Sequence, residues 1–411
     1  MNQPHFLFPN LGEIQKPVFY LQDGTYTNKS ILGIGIKEHL SIRKPLHSVY
    51  STIDNFTKKP GWKIVLLGYD LKNNIEKLTS SNIDHLEFPD LFMVIPEMVF
   101  SIEKGEITTL SGANHPDFDD TLSKIQSSHQ QHIDSEKHHL IARVPKREYI
   151  QNLVTIKKHL QRGDIYEVNY CVEFYKENTS IDAFNIYQKL HAITKAPHSA
   201  FIKWNQFSLL CGSPERFISQ NGKTLISQPI KGTKKRGSTP EEDLQLMSLL
   251  ENDPKERSEN IMITDLVRND MSKVSTKGSV EVTELCGIHT FETVHQMIST
   301  IQCEVRPELK FSDIFKSLFP MGSMTGAPKV SAMQIIEKLE ATKRGMYSGA
   351  VGYIDPDGNF DFNVVIRSLM HNAEKRYLSA MVGGAITIAS DPELEYQECL
   401  LKAEALFQAL Q

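Results

Sequence analysis

Two pairs of acids stand three residues apart in this chain, Glu256 with Glu259 and Glu395 with Glu398. Three residues advance about 300° around an α-helix, so each pair projects from a single face. Such pairs are common on solvated faces, but Glu259 precedes Asn-Ile-Met-Ile and Glu398 precedes Cys399 and Leu400, so both border apolar sequence. Four carboxylates meeting at a core edge would suit a hard cation with oxygen ligands, Mg²⁺ above all. Lys231, in Gln228-Pro-Ile-Lys-Gly-Thr233, is either an exposed turn lysine or a nucleophile. The second role needs a neutral amine, which at a reference pKa of about 10.4 is only about 1 part in 2,500 at pH 7. Burial, which disfavours the ammonium form, is the expected source of the downward shift.

Other residues carry a functional reading beside a plain one. Arg367, in Val364-Val-Ile-Arg367, is a cation in an apolar strand-like run, suited to bidentate capture of a carboxylate. Lys402 lies four residues after Glu398 and reads first as a helix salt bridge. His295 reads as a core histidine or as a proton carrier. The run Gly322-Ser-Met-Thr-Gly-Ala-Pro-Lys329, with Thr325 and Gly326 inside it, is a small-residue turn feeding a helix. Its free amides could cradle an anion, but its spacing is not that of a Walker A loop. Gly383-Gly384 marks either a close approach of backbone to a ligand or a β-bulge. His129, His132, His138 and His139 share no spacing with acids or cysteines and read as a solvated face.

The elements that must position these residues follow from periodicity and stop signals. Val18 to Leu21, Lys63 to Gly68 and Phe92 to Ile95 are strand-like runs bounded by turn residues. Gly112 to Lys146 is polar, a connection or an exposed helix, and the domain boundary falls near residue 140. The expected division is a β-rich region over 1–140 and a catalytic unit over 141–411. Beyond the boundary, Tyr149 to Gln161 is helical and stops at Gly163. A helix starts at Ser238-Thr-Pro-Glu-Glu242 and breaks at Asn252-Asp-Pro254; others run from Pro254 towards Val267, from Ala327 to Leu339, and from Pro392 to the end. Ser208 to Cys211, Gly349 to Ile354, Asn363 to Leu369 and Leu378 to Val382 are expected strands.

Composition excludes several classes of function. The 411 residues carry 45 Lys+Arg against 50 Asp+Glu, a net charge of −5, without the positive excess that binds nucleic acid. Hydrophobic residues make up 40% and charged residues 23%, ordinary globular usage. No apolar run approaches the roughly 20 residues that cross a bilayer. The first residues do not read as a secretory signal, so the cytoplasm is the expected location. Five cysteines, odd in number and never CxxC, argue against disulfides or a thiolate zinc site, and most of them read as small buried hydrophobes.

Taken in order, seven segments resemble the chorismate-utilising enzymes: Gly163 to Asn169, Ser213-Pro-Glu-Arg-Phe217, Pro229-Ile-Lys-Gly-Thr233, Glu259 to Asp270, Gly326-Ala-Pro-Lys329, Tyr347-Ser-Gly349 and Glu395-Tyr-Gln-Glu398. The resemblance runs from about residue 145 to the end and touches Gly68 to Leu71 and Phe92 to Pro96. It implies an α+β fold with a large antiparallel core of two packed sheets flanked by helices. Glu259 and Glu398 match direct Mg²⁺ ligands, and Glu256 and Glu395 match carboxylates acting through water. Arg367 and Tyr347 match contacts to the pyruvyl carboxylate of chorismate, Lys402 a contact near its ring carboxylate, and His295 a residue near the leaving 4-hydroxyl. Backbone around Thr325, Gly326, Gly383 and Gly384 would line the pocket.

Lys231 separates the branches of this family. In the aminodeoxychorismate synthases a lysine in this motif resembles a nucleophile that attacks C2 as the 4-hydroxyl leaves, before ammonia adds at C4 and expels it. Anthranilate synthases usually carry Ala there, and isochorismate synthases use a lysine where this chain has Glu167. The resemblance therefore implies chorismate amination, in p-aminobenzoate and folate biosynthesis, with ammonia from a separate glutamine amidotransferase. Glu167 departs from the Gln common in aminating members. No segment resembles a glutaminase or the tryptophan feedback site of anthranilate synthases. The rival readings are an anthranilate synthase large subunit and a non-catalytic protein that binds chorismate or docks an amidotransferase.

Overall fold

The computed structural model describes residues 9–23, 29–43, 48–127 and 136–411. Among these, strands that read as short apolar runs assemble into two antiparallel sheets, one of eleven strands and one of ten. The strand Val18–Asp23 shows why they stack. Phe19 and Leu21 face the core shared by both sheets, while Val18 and Tyr20 face a second core beneath helices. Side chains alternate across a strand, so covering both faces requires an unbroken apolar run. Lys63–Leu67 and Leu91–Ile95 are accordingly buried at every position.

The second core is closed by the helices Lys146–Arg162, Ala183–Thr194 and Pro392–Ala409, which supply Leu153, Ile156, Leu190, Ala403 and Leu406. Residue 140 lies between the helix Phe118–Gln126 and the strand Ile141–Ala142. Strands from either side of it pair in both sheets: Val18–Asp23 with His198–Trp204, and Lys63–Leu67 with Ala350–Ile354. Of the four histidines, His129 and His132 lie outside the described residues and His139 is exposed. His138 is not on a solvated face: it is 2% exposed and its Nδ1 lies 3.0 Å from Thr179 Oγ1. All five cysteines are free and buried, as their spacing predicts.

One expected strand is divided. Phe360–Val364 pairs within the ten-stranded sheet, whereas Ser368–Asn372 pairs within the eleven-stranded sheet. The chain passes between sheets through Val365 to Arg367, and Arg367 adopts φ +51 to make the turn. A non-glycine residue in this left-handed region is unusual and carries strain that the surroundings must hold.

Three helices begin the same way, with an acceptor side chain followed by proline. Thr239 caps Pro240–Glu251, Asp253 caps Pro254–Ser272 and Asp391 caps Pro392–Ala409, each side chain accepting from backbone amides of the first turn. The cap satisfies amides that have no helical partner, and proline at the first position gives up a donor that would be orphaned anyway. These caps fix where the helices start, and hence the faces on which both acid pairs lie.

Candidate active site

The helices Pro254–Ser272 and Pro392–Ala409 bring the two acid pairs to one end of the sheets. Glycines let them close in. A Cβ on Gly384 would stand 3.3 Å from Glu395 Oε2, 3.7 Å from Lys402 Nζ and 4.0 Å from Glu398 Oε1. A Cβ on Gly232, next to Lys231, would stand 3.1 Å from Glu256 Oε2. Gly383 and Gly384 pair in regular register with Cys171 and Tyr170, so they mark close approach and not a bulge. Lys255, which the sequence reading passed over, sits among the acids: its Nζ is 3.9 Å from Glu259 Oε1 and 3.5 Å from Glu395 Oε1. Among the described residues no three His, Cys, Asp or Glu side chains are gathered into a ready-made metal cage.

The electrostatics of this acid cluster are uneven. Burial pushes the Glu259 carboxyl up to about 7, against the pull of Lys231, and its Oε1 is buried without a hydrogen-bond partner among the described residues. Burial also raises Glu256. For Glu398 burial opposes the charge, but Lys402, 2.7 Å away, together with more distant lysines holds the carboxyl below its ordinary range. A buried carboxylate oxygen without a hydrogen bond, whose only close cation contact among the described residues is Lys255 at 3.9 Å, offers within this cluster of acids oxygen donors of the kind that a hard divalent cation takes.

Lys231 lies on the strand Ile230–Lys235 with a side chain 11% exposed. The expectation that burial lowers its pKa is not met. Burial is the largest influence and acts downward, but Glu167, Glu259 and Glu215 together outweigh it, and the amine is held above its ordinary value. Glu167 is the contact that matters most: its Oε1 accepts from Lys231 Nζ at 2.9 Å. Glu215, inside a motif that carried no assigned role, is the second residue missed. Its carboxyl is buried, accepts from Ser323 Oγ at 2.9 Å, and is pushed up to about 7 by that burial. A carboxyl in this range exists in both protonation states near neutrality and can donate a proton.

The cations and glycines predicted to meet a substrate frame the same space. The Arg367 carbonyl accepts from the Gly212 amide at 3.0 Å, but its guanidinium makes no hydrogen bond or ion pair with any described residue; burial lowers its pKa, with Tyr347 and Glu398 opposing. Tyr347 is buried, and its hydroxyl pKa is raised by that burial and by Cys171, whose Sγ lies 4.0 Å from the hydroxyl oxygen. Lys402 Nζ is held by Glu398 and by the Gly383 carbonyl at 2.9 Å. Thr325 is buried with its hydroxyl turned back to the Met321 carbonyl, 2.9 Å away, which leaves its backbone for any other contact. Gly326 adopts φ +138, and a Cβ there would lie 2.2 Å from the Glu167 carbonyl oxygen. Lys329 points away from any anion cradle, its Nζ 2.6 Å from Asp270 Oδ2.

His295 is buried and both ring nitrogens are engaged, Nδ1 with Thr290 Oγ1 at 2.9 Å and Nε2 with Asp243 Oδ1 at 2.9 Å. Neither is free to meet a hydroxyl without breaking one of these bonds. Beneath the site lies Arg344, 2% exposed, whose guanidinium donates to Glu340, to the Met324 and Asn169 carbonyls and to Ser348. It ties the Gly322–Thr325 turn to the strand that opens with Glu167.

The chain as a whole has counterparts among known proteins. The aminodeoxychorismate synthase component 1 of Bacillus subtilis is 32% identical over 391 residues, covering 90% of this chain and 82% of that protein. The protein of that name from Escherichia coli is 32% identical over 400 residues, covering 94% and 87%. Anthranilate synthase component 1 of Acetivibrio thermocellus is also 32% identical, over 388 residues, covering 88% and 77%. Among solved structures, anthranilate synthase component I of Streptococcus pneumoniae superposes with a TM-score of 0.79 at 24% identity, covering 92% of each chain. The menaquinone-specific isochorismate synthase of Escherichia coli does so with 0.77 at 16% identity, covering 100% of this chain and 92% of that one. The likeness confirms the expected fold of two antiparallel sheets with helices. The model of the chorismate binding enzyme family matches residues 16–408, well into the part before residue 140, and the chain belongs to that family.

Proposed function

We propose that this chain converts chorismate and ammonia to 4-amino-4-deoxychorismate, in the cytoplasm and on the route to p-aminobenzoate and folate. The observation that carries this reading is Lys231: a nearly buried amine in contact with Glu167 and within the field of Glu259 and Glu215. The relatives named aminodeoxychorismate synthase component 1 support it, and that name points to a second component. Here the second component is read as a glutamine amidotransferase that supplies ammonia.

In this reading Arg367 and the Tyr347 hydroxyl receive the pyruvyl carboxylate, and an arginine without an anionic partner gains most from one. Lys402 and the backbone at Gly383 and Gly384 border the ring carboxylate. Glu259 and Glu398 would hold Mg²⁺ directly, with Glu256 and Glu395 outside them. Bound there, the ion would supply charge neutralisation at the ring carboxylate and favour loss of the 4-hydroxyl. Lys231 attacks C2, Glu215 gives a proton to the departing hydroxyl, and ammonia adds at C4 as lysine leaves. His295, pinned at both nitrogens, positions the Asp243 end of the site and transfers no proton.

The test is to incubate the purified chain with chorismate, MgCl₂ and ammonium and identify the product by chromatography and mass. The expected product is 4-amino-4-deoxychorismate, formed by wild type and lost in Lys231→Ala. Anthranilate would establish the rival synthase, isochorismate a hydroxylating enzyme, and no turnover a binding protein.

A further inference from the structure

Glu167 opens the strand Glu167–Lys176 and is completely buried. One carboxylate oxygen accepts from Lys231 Nζ at 2.9 Å, and the other is buried and takes no hydrogen bond from any described residue. Both facts point the same way. A buried carboxylate satisfied on one side only is a costly anion, because its unmet oxygen has given up hydration for nothing. A proton relieves that cost, and the nearest one is on Lys231.

The backbone holds this contact in place. Gly326 and Ala327 pair with Val168 and Glu167, and only glycine at 326 lets that pairing form so close to the Glu167 carbonyl. Glu215 and Glu259 also act on the Lys231 charge, and Lys255 acts on Glu259. Of the three acids, Glu167 alone is in ion-pair contact with the amine among the described residues.

We propose that Glu167 is the proton acceptor that frees the Lys231 amine for attack, and the store from which that proton returns when the lysine is released. The proposal rests on the reading of Lys231 as nucleophile. The proton passes from Lys231 Nζ to Glu167 Oε1. The Nζ lone pair then bonds to C2, each ring double bond shifts one position, and the C4–O bond breaks, the hydroxyl leaving as water with a proton from Glu215. Ammonia bonds to C4, the double bonds shift back, and the pair of the Nζ–C2 bond returns to nitrogen. The new C4 ammonium returns one proton to Glu215, and Glu167 returns its own to Lys231. The sum is chorismate plus ammonia to aminodeoxychorismate plus water, with the enzyme restored.

Glu167→Gln keeps the size and a hydrogen-bond acceptor but removes the proton acceptor. Ammonia-dependent product formation, chorismate affinity and the Lys231-linked mass adduct are measured for it and for wild type from pH 6.5 to about 9, a span that approaches the lysine range. The expected result is unchanged chorismate affinity with adduct and product formed about 100-fold more slowly at pH 7, the size of a typical general base. That deficit should shrink as rising pH deprotonates the amine without help. In Glu167→Ala, added formate should restore part of the rate by standing in for the missing carboxylate. A Glu167→Gln rate equal to or above wild type at pH 7, or a deficit that neither pH nor formate relieves, would overturn the proposal. Wild type making no aminodeoxychorismate, or Lys231→Ala retaining full activity, would instead overturn the functional reading.

Discussion

Glu215 shows how burial writes a residue's chemistry. Its carboxyl is raised from an ordinary 4.5 to about 7 because burial disfavours its charge more than Ser323, Lys231 and a backbone amide favour it. The folded chain therefore binds that proton more tightly than the unfolded chain does. Its contribution to stability is present in full below the unfolded value and is lost as pH rises through about 7. For a shift of this size the loss is about 3 kcal/mol. Urea unfolding of wild type and Glu215→Gln at pH 5 and pH 8 measures it: the wild type should lose stability over that interval relative to the variant, and a parallel response would show that Glu215 does not titrate there. The sequence nominated the four Glu, Lys231, Arg367 and Tyr347 as site residues at this scale. The protonation of Lys231 was not legible, because it depends on acids 64 residues before it and elsewhere in the chain. Lys255 carried a faint signal in its four-residue spacing from Glu259, and Glu215 lay in a recognisable motif, but neither spacing nor motif discloses a charge field.

The helices carry the acids, and their starts were readable letter by letter. Threonine or aspartate followed by proline and acids predicts a capped start, and Thr239, Asp253 and Asp391 each cap as the pattern requires. Asp391 accepts from the Glu393 and Leu394 amides at 2.9 Å and 3.1 Å, about one turn before Glu395 and two before Glu398. Removing it as Asp391→Ala should cost about 1 kcal/mol of stability and loosen the turn that presents Glu395. Thermal unfolding checks the first effect and Mg²⁺ titration of turnover the second; an unchanged melting temperature would show that the proline start suffices. The strand reading failed where a run of Val and Ile crosses between sheets. Local apolar pattern is the same on both sides of Arg367, and only pairing partners distinguish one continuous strand from two strands in different sheets.

At the scale of the whole molecule, the site depends on a buried arginine that no motif pointed to. Arg344 links the turn at Met324, the strand at Asn169 and the acid Glu340, so the two walls around Lys231 and Glu167 share one anchor. Arg344→Met leaves Glu340 as an uncompensated buried charge, a loss of about 3–5 kcal/mol. The expected outcome is a large fall in denaturation midpoint with amination impaired at temperatures where the variant remains folded. A midpoint within error of wild type would show that Glu340 finds another partner. An arginine followed by glycine reads as a surface residue, since its partners are set by the packing of distant segments.

The sequence by itself determined the family, because an ordered set of motifs is written in short stretches of chain; that resemblance implied the two-sheet core, and the same stretches nominated the residue types at the site. Only the tertiary structure decided how those residues are charged and whom they touch. It placed Lys255 among the acids, left Arg367 without an anion, engaged both nitrogens of His295, and set Glu167 against Lys231. Each of these is a balance of burial against long-range contact, and neither term exists until separated segments pack together.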